Sequence, residues 1–517
     1  MVNNQNTYRR PAPRGWRERW MRRFGMDIAV QAPIKGAMMI PDWLPGKAII
    51  FFFAAMFACW GAFSFVPELE LWLVATITVL LFFYGGMSMS KSWGRIARKS
   101  FLRNVYIGGL VMRLIWVLYA YFVFNPNHYG APIGDTADVE WYMPFGKDLA
   151  LWLTGNSNYS LSQLIDINGS AMDDVGYPMW LGIIYMIFGA ENDVFIPFVL
   201  KAILGAYCAV SIYRVANRHY GEAVGRIAAI FVALNPNLIY WTASMMKETE
   251  MVFLCCLAVD NFDRVLTSGR QFSFQTLLPG ILAASALLFF RAALGIVVFL
   301  AVFGHIVMAS ERVMSTGKKV LAGVLVTAVL AVSVGDRIRT QSESLLRTAR
   351  SDSQQVNMEW RAQRVDAQGR SQSFAKYAGA AVFAPLIFTI PFPTFNVANE
   401  GQLTQMILSG GSYIKNILSF FVIIVMFMML ISGEWRRHVF IIAYTVGYHI
   451  VLVMSPFAQS GRFHMPVIPM LMLFAAYGIQ VAKTNARMRR WLSIALVVEV
   501  VACVAWNWFK LKGRGMI

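Results

Sequence analysis

Apolar stretches of about 18 residues or more, the length that reads as a membrane-spanning helix, recur along this chain and limit what it can fold into. Hydrocarbon offers the backbone no water, so each N–H and C=O must be satisfied inside the structure that spans it, which leaves helices or a closed barrel. The runs are too long for barrel strands and lack apolar–polar alternation, so the chain reads as an all-α polytopic membrane protein. Candidate spans fall at 48–66, 70–88, 104–124, 193–213, 227–242, 249–266, 276–290, 292–310, 319–335, 411–432, 437–456, 466–483 and 490–510, about thirteen transmembrane helices in all.

Only 14% of residues are charged, against 57% hydrophobic, and Lys plus Arg outnumber Asp plus Glu by 46 to 28. In a soluble chain that excess would suggest nucleic acid. Between spans it records loop topology and contact with anionic membrane lipids, and nucleic acid is not an expected partner. Cys59, Cys208, Cys255, Cys256 and Cys503 all lie in apolar spans without ligand spacing, so they read as small apolar residues rather than a disulfide framework or zinc site.

Residues 1–47 form a basic arm with Arg9, Arg10, Arg14, Arg17, Arg19, Arg22 and Arg23 and no small-residue cleavage site, which reads as a cytoplasmic segment on the membrane surface. Residues 48–517 are then one transmembrane domain without a separate soluble C-terminal domain. The loops "KSWGRIARKSFLR" (91–103), "YRVANRHYGEAVGR", "RVLTSGRQ", "SERVMSTGKK", "GEWRRH" and "AKTNARMRR" share the side of this arm, the cytoplasmic side by the positive-inside rule. Two large loops, 125–192 and 336–410, fall on the opposite, external face.

The first loop concentrates scarce acids. Asp135, Asp138, Glu140, Asp148, Asp166, Asp173 and Asp174 stand there against Lys147 alone. Its later part, "GYPMWLGIIYMIFG" (176–189), is short and aromatic and reads as a helix in the outer interface. The second loop is mixed in charge over 336–376 and ends in "YAGAAVFAPLIFTIPFPTF" (377–395), where Pro385, Pro391 and Pro393 favour a re-entrant or surface segment over a crossing.

Several constellations in these loops can carry chemistry. Loop acids are often merely solvated, but Asp135 and Asp138 stand three apart among Trp141, Tyr142 and Phe145, in a setting suited to a headgroup-level pocket. A carboxylate so placed can act as general base toward a hydroxyl. Asp173 and Asp174 can bind acceptor hydroxyls or a divalent cation, or cap a helix. In "NPNLIYWTASMMKETE" (235–250), Lys247 suits a phosphate contact and Glu248 an orienting carboxylate, with a surface ion pair as the plain alternative. Arg291 interrupts two otherwise uncharged runs at the external membrane edge, where it either serves the site or snorkels to headgroups. In "SGRFHMPVIPM" (460–470), Arg462 and His464 open a helix whose free N–H groups also suit a phosphate oxygen.

Taken in order, "GDTADVEWY", "GYPMWLGIIYMIFGAEN", "NPNLIYWTASMMKETE", "LLFFRAALGIVVF" and "GRFHMPVIPM" resemble the GT-C superfamily of polytopic glycosyltransferases. The likeness is to bacterial members related to the dolichyl-phosphate-mannose protein mannosyltransferases and the lipid A aminoarabinose transferases. It implies a periplasmic active site in the bacterial inner membrane, a polyprenyl-phosphate sugar donor, a glycan, lipid or protein acceptor, and a loop carboxylate as base in an inverting transfer. Asp135 matches the catalytic aspartate, with Asp138 the alternative. No cofactor is implied beyond a possible divalent cation. An envelope polysaccharide polymerase or ligase using polyprenyl-diphosphate glycan is the near rival; a transporter or flippase is further off, because no repeated halves are visible and the notable charges sit at helix ends.

Overall fold

The computed structural model describes residues 40–63, 69–125, 136–168, 174–189, 194–267, 274–308, 402–453 and 461–513. Every element among them is helical. In chain order they are α1 (Trp43–Phe63), α2 (Leu69–Leu80), α3 (Gly86–Trp93), α4 (Arg98–Tyr119), α5 (Thr136–Leu153), α6 (Leu161–Ile167), α7 (Gly176–Phe188), α8 (Phe195–Tyr220), α9 (Glu222–Leu234), α10 (Pro236–Tyr240), α11 (Glu248–Thr267), α12 (Phe274–Phe290), α13 (Ala292–Met308), α14 (Gln402–Ser432), α15 (Val439–Val453), α16 (Ile468–Thr484) and α17 (Ala486–Gly513). Single π-turns join α2 to α3 and continue α4 to Phe124, and a 3-10 turn, Gly461–Val467, leads into α16. The basic arm up to residue 39, the span expected at 319–335 and the segments 336–376 and 377–395 lie outside the described residues.

The expected crossings recur as helices wherever the structure describes them, but thirteen spans is not the number established. Six helices are long and apolar enough to cross a membrane, seven if one bent pair counts as a single span. The difference has a physical reason. At about 1.5 Å per residue, a helix of the length of α12 or α13 covers about 26 Å, short of a hydrocarbon layer about 30 Å thick, and α11 carries Glu248, Glu250, Asp260, Asp263 and Arg264.

Helix α4 shows how these elements meet lipid. Phe101, Val105, Gly109, Arg113 and Val117 recur at helical spacing and are buried, whereas Ile107, Val111, Ile115 and Leu118 are exposed on the other side. Both faces are apolar because one packs against protein and the other faces acyl chains. Helix α16 lies at the other extreme, with 94% of its span buried.

The run expected as a single span at 227–242 is broken, with α9 and the α10 turn meeting at a bend of 49°. Asn235 caps the new start by accepting from Leu238 N at 3.2 Å, and Pro236 occupies the first turn, where its missing N–H costs nothing. The break strips partners from carbonyls one turn back, which at membrane depth must be satisfied by protein. Arg113 of α4 supplies them, with Nη1 donating to Ala233 O at 3.1 Å and Nη2 to Val232 O at 3.5 Å.

Because the chain doubles back through α9 and α10, α8 and α11 run parallel. Lys201 meets Glu250 at one end, and Arg218 meets Asp260 and Asp263 at the other, with contacts of 2.8 and 2.6 Å. His219 completes the second cluster, 2.6 Å from Asp263 and 2.7 Å from His438. The 176–189 segment is a helix as expected, α7, ended by Gly189 at φ 60°. It packs along α5, and a Cβ on Gly182 would stand 3.0 Å from Leu149 Cβ and 3.1 Å from Gly146 O, so a larger residue there would have to push the two helices apart by a few tenths of an ångström.

Candidate active site

At the end opposite His219, four separate parts of the chain bring charged side chains together. Asp138 and Tyr142 stand one turn apart on α5 and so share a face. Glu248 opens α11, and Lys247 immediately precedes it. Arg462 belongs to the 3-10 turn before α16, and Asp174 lies just ahead of α7.

Arg462 is the hinge of the cluster. Its Nη2 donates to Asp138 Oδ2 and its Nε to Glu248 Oε1, a fork across two carboxylates that a lysine could not reproduce. The two acids differ in surroundings: the Glu248 side chain is fully buried, whereas that of Asp138 is 36% exposed. Glu248 therefore serves to hold the guanidinium, and Asp138 is the acid that an incoming molecule can reach.

A second pair lies alongside. Lys247 Nζ donates to Asp174 Oδ1, and Tyr142 OH reaches the same oxygen at 3.4 Å. The lysine sits over the Tyr142 ring at 5.8 Å. Burial, with Arg291 and Arg462 nearby, pushes the Lys247 ammonium down to about 7, despite the opposing pull of Glu248 and Asp138. Burial beside Glu248 and Asp138 likewise holds the Tyr142 phenol well above its ordinary value, so it is a donor throughout the physiological range.

Arg291 stands in the break between α12 and α13. Its guanidinium lies 4.2 Å from the Phe463 ring centroid and 3.5 Å from Tyr448 OH, which in turn donates to Phe463 O at 2.8 Å. The Arg462 guanidinium lies over the same ring at 5.5 Å, so both arginines share one aromatic plate.

Of the residues singled out from sequence, Asp138, Asp174, Lys247, Glu248, Arg291 and Arg462 thus converge. His464 turns to α14, where its Nδ1 is 2.5 Å from Lys415 Nζ. Asp135 and Asp173 lie outside the described residues. Among the described residues no group of three His, Cys, Asp or Glu side chains could hold a metal ion.

Lys201 escaped sequence reasoning. It lies in the apolar run "FIPFVLKAILGAYC", is fully buried, and donates to Ser244 O at 2.6 Å and to Met246 O. The signal was present: a lone ionisable residue within an apolar span is by default a functional candidate. Tyr448 gave no comparable signal, because its role depends on how α15 meets the 3-10 turn.

Apolar helices around a cluster of carboxylates and cations at one end make this a multi-pass membrane protein with a polar site. Residues 176–335 match the family model described as dolichyl-phosphate-mannose-protein mannosyltransferase, a match that supports a membrane glycosyltransferase of the GT-C type. The matched stretch contains Lys201, Lys247, Glu248 and Arg291, whereas Asp138, Asp174 and Arg462 fall outside it. No curated protein matches the chain.

Proposed function

We propose that this protein moves a sugar from a polyprenyl-phosphate donor to the hydroxyl of a glycan, lipid or protein acceptor, on the periplasmic face of a bacterial inner membrane with the N-terminus in the cytoplasm. The observation that carries this reading is the convergence of Lys247, Arg462 and Arg291 from three elements on one site that also offers a partly exposed carboxylate, Asp138.

The acceptor oxygen attacks the anomeric carbon as the bond to the phosphate oxygen breaks. Its proton passes to a carboxylate, and the electron pair of the broken bond leaves on polyprenyl phosphate, inverting the anomeric centre. Catalysis then needs a base near the attacking oxygen and fixed positive charge near the leaving phosphate. Asp138 or Asp135 supplies the first, and Lys247, Arg462 and Arg291 the second. Glu248 keeps Arg462 in place, and the apolar helix faces accept the polyprenyl tail.

Lys247 holds Asp174 and Arg462 holds Asp138. A donor phosphate competes with both acids, and by taking Arg462 it releases Asp138 to act as base. The test is transfer by purified protein in nanodiscs, given labelled polyprenyl-phosphate sugar and candidate acceptors, with Asp135→Asn and Asp138→Asn in parallel. The expected result is a fall in kcat of about 10²-fold or more in one of them, the usual scale of a lost general base. Full activity in both variants would remove the assigned base.

A further inference from the structure

Residues 244–247, between the 3-10 turn Trp241–Ala243 that follows α10 and the start of α11, are an irregular stretch of backbone buried within the protein. Non-helical backbone at such depth persists only where protein groups satisfy its carbonyls. Ser244 is extended, at φ −132° and ψ 142°, and its carbonyl and that of Met246 converge on one point. Both accept from the ammonium of Lys201, which is buried in the second turn of α8. The same ammonium lies 3.5 Å from Glu250 and 5.1 Å from the Tyr177 ring centroid. Four elements therefore meet at one nitrogen, and the residue that follows the anchored carbonyls is Lys247.

We infer that Lys201 is a positioning residue: by fixing the backbone of residues 244–246 it sets the Lys247 ammonium where a donor phosphate is held. The role rests on the proposed glycosyl transfer for its purpose, though not for its geometry. Glu250 balances the charge in the apolar interior. The carbonyl bonds do the positioning, since an ion pair with Glu250 alone would leave the two carbonyls without donors.

Lys201→Met alone strands a buried carboxylate and risks misfolding, so the informative variant is Lys201→Met with Glu250→Gln, which removes both charges. Two readouts separate the inference from the reading beneath it. The first is competitive acetylation of Lys247 against pH in the full-length protein, followed by mass spectrometry, which needs no donor. The wild-type midpoint near 7 is expected to rise by at least one pH unit in the double variant as Lys247 leaves its buried seat. An unchanged midpoint would overturn the inference. The second is binding of unglycosylated polyprenyl phosphate in nanodiscs, expected to weaken at least tenfold in the double variant; equal affinity would also overturn it. Wild-type protein that fails to bind polyprenyl phosphate while the acetylation shift persists would sink the donor assignment and uphold the positioning role.

Discussion

At the scale of single residues, the site is a competition for cations. A phosphate that displaces Asp174 from Lys247 must offset the ion pair it breaks, so Asp174→Asn is expected to tighten polyprenyl-phosphate binding while Lys247→Met weakens it. The loss of one charge-assisted hydrogen bond is worth about 1.5–3 kcal/mol, or roughly ten- to a hundredfold. Equilibrium binding to the two purified variants checks both signs, and weaker binding by Asp174→Asn would contradict the competition.

Lys247 also fixes the direction of the pH dependence. Its folded pKa, about 7, lies below the ordinary lysine value, so the fold favours the neutral amine. As pH falls from the unfolded value toward 7, the unfolded chain takes up this proton first and stability declines; below 7 the penalty is constant. Phosphate binding favours the ammonium, so affinity is expected to fall as pH rises through 7, and Lys247→Arg should flatten that dependence because arginine stays charged. A titration of polyprenyl-phosphate affinity between pH 6 and 9 reads both. At Arg462 the fork matters as well as the charge. Arg462→Lys, unable to span Asp138 and Glu248, is expected to lose about 10²-fold in kcat/KM, within the range for a lost electrostatic stabiliser; wild-type kinetics would refute the bridging role.

At the scale of elements, α5 carries Asp138 and Tyr142, and its position is set by glycine-mediated contact with α7 at Gly146 and Gly182. Gly182→Val places a branched side chain where a single Cβ already meets Leu149 and the Gly146 carbonyl. Overpacking of this kind costs about 1–3 kcal/mol. The expected outcome is a lower melting temperature in detergent together with reduced transfer, since α5 moves with its acid. An unchanged Tm and rate would show that the helix pair tolerates separation. The α9–α10 break belongs to the same scale. The span expected at 227–242 runs straight through "NPN", because hydropathy averages across a bend that Asn235, Pro236 and the distant Arg113 sustain together.

For the whole molecule, the charge clusters at the two ends of α8 and α11 define opposite poles, the Lys201 and Arg462 pole and the His219 pole. The proposed orientation puts the first outside. A membrane-impermeant maleimide is expected to label Asn158→Cys on intact cells and Arg436→Cys only after permeabilisation, both positions being exposed and at opposite poles. Cys208, Cys255, Cys256 and Cys503 are buried and should contribute no background, and Cys59 is changed to Ala in both variants. The reverse pattern would invert the topology. By itself the sequence determined the helical membrane class, most helix positions and six of the residues that converge, because hydrocarbon imposes length and composition on every span and makes each stray charge conspicuous. Tertiary structure alone decided which charges meet. Arg462 lies more than 300 residues from Asp138 along the chain, 324 in all, and more than 200 from Glu248, 214 in all. No local pattern encodes such pairings, and none could separate His464, turned to Lys415, from Arg462 two positions earlier. They follow from α8 and α11 running parallel and from the 3-10 turn before α16 closing over their shared end.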